Sequence, residues 1–258
     1  MEIRNLTEQQ ITIKNIFTNY KILGKGKPIL ILHGWRSNSS RWQKTAEILA
    51  KKNFMAIIPD LPGFGKSQEP KNVWNIDGYV EWLKEFSQRV PELKNDFYLA
   101  GHSFGGSVAA KFSLKYNQKV KKLFLISASA VRVTNFSKKL SYNISRIFKI
   151  FYFFPFYESF RKNIYRIFFR KSDYPYVSGI MKEIYLRVVS DDLSHKLPFL
   201  KVPTVIIWGQ KDDLTPLENA YIIKEKIAES KLIIIPEQGH NMHIICPEIL
   251  AKEIASNI

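Results

Sequence analysis

The chain has 258 residues, of which 45% are hydrophobic, and this suits a single domain with a large core. Its single cysteine, Cys246, excludes an internal disulfide, and no apolar run reaches the roughly 18–20 residues of a membrane-spanning helix. The 39 basic and 23 acidic residues give a net charge of +16. The first residues also lack the basic and then apolar pattern of a signal peptide, so we expect a soluble, cytoplasmic protein.

The first predicted element is an antiparallel hairpin between Ile11 and Ile22, after which apolar strand patterns alternate with helical patterns. Strands are predicted near 29–33, 55–59, 97–101, 122–127, 204–208 and 231–235. Helices are predicted near 40–52, 76–89, 104–116, 217–229 and 248–257, with Thr215 as the N-cap of the fourth. This alternation predicts a mostly parallel, eight-stranded sheet with helices on both faces.

The alternation stops between residues 131 and 199, where no convincing core strand is found. Between Val131 and Lys171 the chain has ten basic residues and one acidic residue, so this stretch holds much of the net charge. Thirteen aromatic residues lie between Phe136 and Phe169. We therefore expect residues 1–130 and 200–258 to form the core of the fold, and 131–199 to form an insertion.

A glycine-rich segment at residues 101–106, Gly-His-Ser-Phe-Gly-Gly, lies between a predicted strand and a predicted helix. It contains a G-x-S-x-G motif, which in this context places the serine on a strained turn with its hydroxyl exposed. The chain crowds itself at such a turn, so the glycines at 101 and 105 meet a steric demand. The alternative is a turn whose serine merely caps the helix. The flanking elements favour Ser103 as a nucleophile, provided that a base and an acid follow.

Candidates for both follow, each just after a predicted strand. Asp212 and Asp213 follow the strand at 204–208, and His240 follows the strand at 231–235. Open α/β sheets place their sites at the carboxyl ends of their strands. A serine hydroxyl needs an imidazole to take its proton, and the imidazole needs a carboxylate to fix its tautomer. The residues therefore predict a Ser-Asp-His triad in that chain order.

Four further segments lie directly after predicted strands and carry recognisable motifs. They are His33-Gly34-Trp35, the turn Asp60–Ser67, Gly209–Asp212 with Pro216, and Gly239-His240 with Pro247-Glu248. Together with the G-x-S-x-G motif, they resemble the motifs of the α/β-hydrolase superfamily over about residues 28–127 and 200–250. The resemblance implies the α/β-hydrolase fold, with residues 131–199 as a helical cap inserted over the catalytic face.

In this family the acid falls three residues after the glycine of its loop, so the resemblance favours Asp212 over the adjacent Asp213. It implies that Ser103 is the nucleophile and that His240 is the general base and acid. The tetrahedral intermediate of acyl transfer needs two N–H donors for its oxyanion. The turn geometry assigns one donor to the backbone of Phe104, and the resemblance assigns the other to the backbone of Trp35.

The remaining histidines are expected to have structural roles. His33 and His102 belong to turns and are expected to brace the backbone, and His243 is expected to pack on the surface near the last helix. Gly63 and Gly65 are expected to be turn glycines. One cysteine and five scattered histidines provide no metal-ligand set, and no cofactor is expected.

A serine at position 103 implies acyl substrates, with esters first and thioesters, lactones or amides after them. The predicted function is hydrolysis of carboxylic esters with apolar acyl or small aromatic groups. The alternatives are a C–C bond hydrolase of the same fold and a non-catalytic protein that binds through the basic, aromatic segment. The expected partner is a small-molecule ester and not a nucleic acid. The basic segment could add weak docking on membrane surfaces, although a solvated basic face is the favoured interpretation.

Overall fold

The computed structural model describes residues 6–132 and 173–258. An eight-stranded sheet forms the centre of this part of the chain. The strands are β1 (Thr7–Ile13), β2 (Ile16–Gly24), β3 (Lys27–Leu32), β4 (Phe54–Pro59), β5 (Phe97–His102), β6 (Val120–Ile126), β7 (Thr204–Gly209) and β8 (Lys231–Ile235). Their order is β1-β2-β4-β3-β5-β6-β7-β8, with β2 antiparallel to both of its neighbours and every other pair parallel. The predicted hairpin and the predicted mostly parallel sheet are confirmed.

Five helices of the described residues match predicted helices, and two, at Gly179–Ser190 and Met242–Ile245, were not predicted. They are α1 (Gln43–Lys51), α2 (Ile76–Arg89), α3 (Phe104–Lys115), α4 (Gly179–Ser190), α5 (Leu217–Lys226), α6 (Met242–Ile245) and α7 (Pro247–Ser256). Short 3-10 turns cover Ser39–Trp42, Pro91–Leu93, Asn117–Lys119, Tyr174–Tyr176 and Leu197–Phe199. No helix among these residues is long and apolar enough to cross a membrane.

Local sequence explains the bounds of α2. The side chain of Asn75 accepts a hydrogen bond from the backbone N–H of Gly78 at 3.2 Å, which satisfies one of the unpaired donors of the first turn. The helix ends at Arg89 because Pro91 disfavours helical geometry at Val90, the residue before it. The buried positions 76, 79, 80, 83 and 86 fall at i, i+3, i+4, i+7 and i+10, so they line one face that packs on the sheet.

Side chains from the two faces of the sheet form separate apolar cores. Leu30 and Leu32 of β3 belong to the core that α2, α3, α4 and α5 cover. Ile29 and Ile31, which point the other way, belong to the core beneath α1, α6 and α7. Both faces of the central strands are therefore buried, which explains why these strands are continuous apolar runs. The carboxyl ends of the parallel strands meet at one edge of the sheet, where the loops after β3, β5, β6, β7 and β8 gather.

Helix α4 belongs to the predicted cap and packs onto the sheet domain. Its buried side chains, Met181, Ile184 and Val188, belong to the same core as the buried side chains of α2 and α3. The aromatic segment between Phe136 and Phe169 lies outside the described residues, so the boundaries 1–130, 131–199 and 200–258 stay a prediction.

The predicted N-cap of α5 is wrong. The N-cap residue is Pro216, and no side chain makes a capping hydrogen bond there. Proline at this point already holds φ near its helical value, so the helix begins without such a bond. The hydroxyl of Thr215 turns away from the helix and donates instead to the carboxylate of Asp212. The residue that was predicted to start a helix thus belongs to the candidate site.

Candidate active site

Ser103 lies between the last residue of β5 and the first residue of α3, with φ 52° and ψ −118°. A positive φ is uncommon for a residue with a side chain, and this pairing of angles stores strain. Backbone hydrogen bonds hold the turn in place: the N–H of Ser103 donates to Ile126, and its carbonyl accepts from Gly106 and Ser129. The serine therefore sits on the strained strand-to-helix turn that the G-x-S-x-G motif predicts.

The glycines of the motif are required by close backbone contacts. A Cβ atom at Gly105 would lie 2.5 Å from the carbonyl oxygens of Leu32 and His33 on the neighbouring strand. A Cβ atom at Gly101 would lie 2.4 Å from the carbonyl oxygen of Gly105. Real Cβ atoms do not approach backbone so closely, so larger residues would push α3 away from the sheet and displace the serine.

Asp212 follows β7, and its carboxylate is fully buried. Oδ1 accepts from the backbone N–H groups of Leu214 and Thr215 at 3.0 and 2.9 Å, and Oδ2 accepts from the hydroxyl of Thr215 at 2.9 Å. Burial works to raise the pKa of this carboxyl, but the hydrogen bond and charge of His240 and the other donors outweigh it. The pKa of Asp212 therefore lies below its ordinary value.

His240 follows β8, and its Nδ1 lies 2.8 Å from Oδ2 of Asp212. An ionised carboxylate can only accept, so Nδ1 carries the proton of this hydrogen bond. In the neutral imidazole Nε2 then has a free lone pair and can act as a base. Asp213 is exposed, whereas the Asp212 side chain is buried against the imidazole. The geometry thus pairs Asp212 with the histidine.

Ser103 and His240 both line one cavity of about 470 Å³ at the carboxyl edge of the sheet. Within the described residues, the Ser103 hydroxyl makes its hydrogen bond to the hydroxyl of Ser129, with the two oxygens 3.3 Å apart. Serine–histidine contacts are often long before substrate binds, so this arrangement is compatible with a nucleophile and base on one wall. Ser129 follows β6 and was not singled out from the sequence.

The two predicted oxyanion donors line the same cavity as Ser103. Phe104 is the first residue of α3, so its N–H has no acceptor within the helix. Trp35 follows β3, and its indole packs against the rings of Phe64, Phe104 and Tyr185 at centroid distances of 4.8, 5.3 and 5.3 Å. The indole is therefore a wall of the cavity and a packing element at the same time.

Two of the other histidines brace backbone, as expected. Nε2 of His33 accepts from the N–H of Leu61 at 2.9 Å, and burial lowers the pKa of this imidazole to about 4. Nε2 of His102 lies 2.9 Å from the carbonyl oxygen of His240 and donates to it, which ties the turn of the serine to the loop of the histidine. Burial, followed by the nearby charges of His243 and His240, lowers the pKa of His102 well below its ordinary value.

The predicted surface position of His243 is wrong. Its ring is buried and stacks on Trp42 at a centroid distance of 4.6 Å, and it lies 4.6 Å from the ring of His102. It falls on α6, which turns it inward three residues after His240. Burial lowers the pKa of His243 to about 3, with the charges of His240 and Arg41 contributing in the same direction.

The strand order, and the position of Ser103 between β5 and α3, define the chain as an α/β hydrolase. A family model described as "Serine aminopeptidase, S33" matches residues 26–244, and the chain belongs to this family. The expected turn glycines agree with the fold, since Gly63 and Gly65 both have positive φ.

Individual known proteins are similar over most of their length. "Lipase 3" of Moraxella sp. (strain TA144) is 25% identical over 231 residues, which are 83% of this chain and 72% of that protein. "AB hydrolase superfamily protein YisY" of Bacillus subtilis (strain 168) is 29% identical over 242 residues, covering 84% and 86% of the two chains. The solved structure of "Esterase (EaEST) from Exiguobacterium antarcticum" superposes with a TM-score of 0.77 over 97% of this chain and 99% of that chain. The two sequences are 23% identical, so this similarity is one of fold.

Proposed function

We propose that this protein is a serine hydrolase that cleaves carboxylic esters through a triad of Ser103, His240 and Asp212. The hydrogen bond of 2.8 Å between His240 and Asp212, with Ser103 on the wall of the same cavity, carries the proposal. The lipase among the relatives supports esters as the substrate class, while the family's description names a peptidase. Both reactions transfer an acyl group to a serine and from it to water.

In the first half-reaction, the hydroxyl oxygen of Ser103 attacks the carbonyl carbon of the ester and Nε2 of His240 takes the proton. Asp212 holds the imidazole in the correct tautomer and stabilises the imidazolium that forms. The tetrahedral intermediate collapses when the bond to the alcohol oxygen breaks, and His240 returns the proton to that oxygen. The alcohol leaves, and the acyl group stays on Ser103.

In the second half-reaction, a water molecule gives a proton to His240 and attacks the acyl carbon. The second tetrahedral intermediate releases the carboxylic acid, and the proton returns to Ser103. The backbone N–H groups of Trp35 and Phe104 would stabilise the oxyanion in both halves. One such donor typically changes kcat by about 10²–10³-fold.

Covalent labelling with a fluorophosphonate, together with hydrolysis of a 4-nitrophenyl ester, tests the proposal. We expect wild type to be labelled, Ser103→Ala to lose labelling, and its kcat to fall by about 10⁴-fold or more. Ser129→Ala is the matched control, because its hydroxyl lies 3.3 Å from that of Ser103 and should leave the label on the protein. Labelling that persists in Ser103→Ala and disappears in Ser129→Ala would show that Ser129, and not Ser103, is the nucleophile.

A C–C bond hydrolase would use the same three residues, so it is the rival for substrate class. Turnover of a vinylogous diketone in preference to every ester of a chain-length series would favour the rival. A basic binding protein without catalysis is the second rival, and it predicts no fluorophosphonate label and a gel shift with nucleic acid.

A further inference from the structure

Three arginines line the cavity that contains Ser103, namely Arg36, Arg41 and Arg132. Among the described residues of this wall, the acidic side chain is Asp173, and it forms an ion pair of 2.9 Å with Arg36. An uncharged ester needs no such surroundings. The excess of positive charge on this wall therefore suits a ligand that carries a negative charge.

Arg132 is the most informative of the three because its partners leave it unsatisfied. One terminal nitrogen donates to the carbonyl oxygen of Val188 on α4 at 3.1 Å. Its Nε is buried and has no hydrogen-bond partner within residues 6–132 and 173–258. A buried cation is costly unless it is paired, and a guanidinium has five N–H donors in a fixed fork.

The two carboxylates whose charges act on Arg132, Asp191 and Asp192, already have other partners. Asp191 forms an ion pair of 3.1 Å with Lys111, and Asp192 accepts from the N–H and the hydroxyl of Ser194 at 2.9 and 3.1 Å. Burial lowers the pKa of the Arg132 guanidinium, against the raising effects of Asp192 and Asp191. These carboxylates attract the guanidinium at a distance and do not occupy its free donors.

The position of Arg132 brings it within reach of a bound substrate. It follows Ser129 by three residues, and three extended residues span at most about 10 Å. The hydroxyl of Ser129 lies 3.3 Å from that of Ser103. Val188, whose carbonyl oxygen accepts from Arg132, and Val189 line the same cavity, so apolar side chains of α4 share this wall with the guanidinium.

We propose that Arg132 forms a carboxylate-binding subsite of the catalytic cavity, and that the preferred substrates are esters that carry a carboxylate a few bonds from the scissile carbonyl. The guanidinium fork matches a carboxylate in a bidentate pair. This inference rests on the proposed ester hydrolysis and specifies its substrate class.

Paired substrates of equal chain length test the subsite. Monomethyl adipate and methyl hexanoate differ by a terminal carboxylate on the acyl side, and carboxymethyl hexanoate and ethyl hexanoate differ on the alcohol side. We expect wild type to prefer the charged member of at least one pair by tenfold or more in kcat/KM. The pair that shows the preference locates the carboxylate on the acyl or the alcohol side.

Variants at Arg132 then show whether this residue sets the preference. In Arg132→Gln the charged-to-neutral ratio of kcat/KM should fall at least tenfold, and Arg132→Lys should restore part of it because it keeps the charge without the fork. Arg187→Gln, on the exposed face of α4, removes an equal charge and should keep the ratio of wild type. The preference of wild type between charged and neutral esters can be measured even if a variant fails to fold.

The outcomes separate this inference from the proposed function. A wild-type enzyme that hydrolyses the neutral esters but prefers neither charged member overturns the subsite alone. A preference that survives unchanged in Arg132→Gln overturns the role of Arg132. Failure to hydrolyse any of the four esters, together with no fluorophosphonate label on Ser103, overturns the proposed function and the subsite with it.

Discussion

The hydroxyl of Thr215 lies 2.9 Å from Oδ2 of Asp212, the same oxygen that accepts from His240. It is also 3.2 Å from the carbonyl oxygen of Ser127 and 3.2 Å from Nδ1 of His240. Thr215 therefore sits between the loop after β6 and the Asp–His pair. Together with the two backbone N–H groups on Oδ1, it holds the carboxylate in one orientation.

Thr215→Val should lower kcat by about tenfold with little change in KM. The substitution keeps the shape of the side chain but removes a hydrogen bond to a charged group, an interaction typically worth about 1.5–3 kcal/mol. The affected group orients the base and does not bind the ester. Thr215→Ser keeps the hydroxyl and should remain within a few-fold of wild type. Equal kcat values in wild type and the valine variant would show that the backbone donors suffice.

Asp212→Asn should reduce kcat by about 10⁴-fold, whereas Asp213→Asn should remain within about threefold of wild type. The reason is that the carboxylate of Asp212 holds the proton of Nδ1, and an amide there can present its N–H group and reverse the tautomer. The two variants remove one charge each from adjacent positions, so steady-state kinetics on one ester compares them directly. The reverse ranking would assign the acid to Asp213.

Stability should decline steeply in mild acid because His33, His102 and His243 are buried with lowered pKa values. The unfolded chain takes up these protons near pH 6.5, and the folded chain takes them up only near the lowered pKa, about 4 for His33 and about 3 for His243. Their contribution is complete above about pH 6.5 and is lost as the pH falls through that window.

His243→Phe isolates one of these groups while keeping a ring against Trp42. Urea unfolding measures the free energy of unfolding at pH 7 and at pH 5. The decrease between these two pH values should be about 2 kcal/mol smaller in the variant than in wild type. The same loss in both proteins would mean that His243 is protonated equally in the folded and unfolded states.

Among uncharged esters, hexanoate should be preferred to acetate by at least tenfold in kcat/KM. Five apolar side chains line part of the cavity: Trp35, Phe104, Val188, Val189 and Leu214. Burial of each methylene contributes about 0.8 kcal/mol, so even partial contact of four methylenes exceeds a tenfold effect. A series of 4-nitrophenyl esters at constant leaving group measures this preference. Acetate as the best substrate would argue against an acyl pocket along this wall.

The basic segment between Val131 and Lys171 is expected to be a solvated face, so the protein should bind anionic and neutral liposomes equally weakly. Co-sedimentation with vesicles with and without anionic lipid measures this. Binding that appears only with anionic lipid and disappears at high salt would favour membrane docking instead, because each basic residue near such a surface contributes about 1 kcal/mol.

The sequence predicts the sheet and the strained turn at Ser103 well because both depend on local patterns. Buried parallel strands are continuous apolar runs, and the G-x-S-x-G turn places all of its constraints within five residues. The choice between Asp212 and Asp213 could be made from family resemblance but not from chemistry. The turn that brings Asp212 against His240 is formed by backbone hydrogen bonds that composition does not reveal.

What the sequence does not reveal depends on side-chain contacts that only the folded chain makes. Thr215 before Pro216 has the pattern of a helix cap, but a buried carboxylate is a stronger partner for its hydroxyl than a backbone N–H. A polar residue near a chain end is usually exposed, and only the stacking of His243 on Trp42, some 200 positions earlier, reverses this. Arg132 was counted with the basic segment because its contact with Val188 depends on the packing of α4.

The hydrogen bond from His102 to the carbonyl oxygen of His240 joins the nucleophile's turn to the histidine's loop beneath the cavity. The residues that we propose as catalytic are thus tied to each other and to the sheet, while Arg132, Val188 and Val189 reach the cavity from segments outside the sheet. We therefore expect substitutions in those segments to change which ester is accepted without moving the proposed catalytic residues. A chain built in this way is a favourable starting point for redirecting substrate preference by directed evolution, with mutations confined to the outer wall.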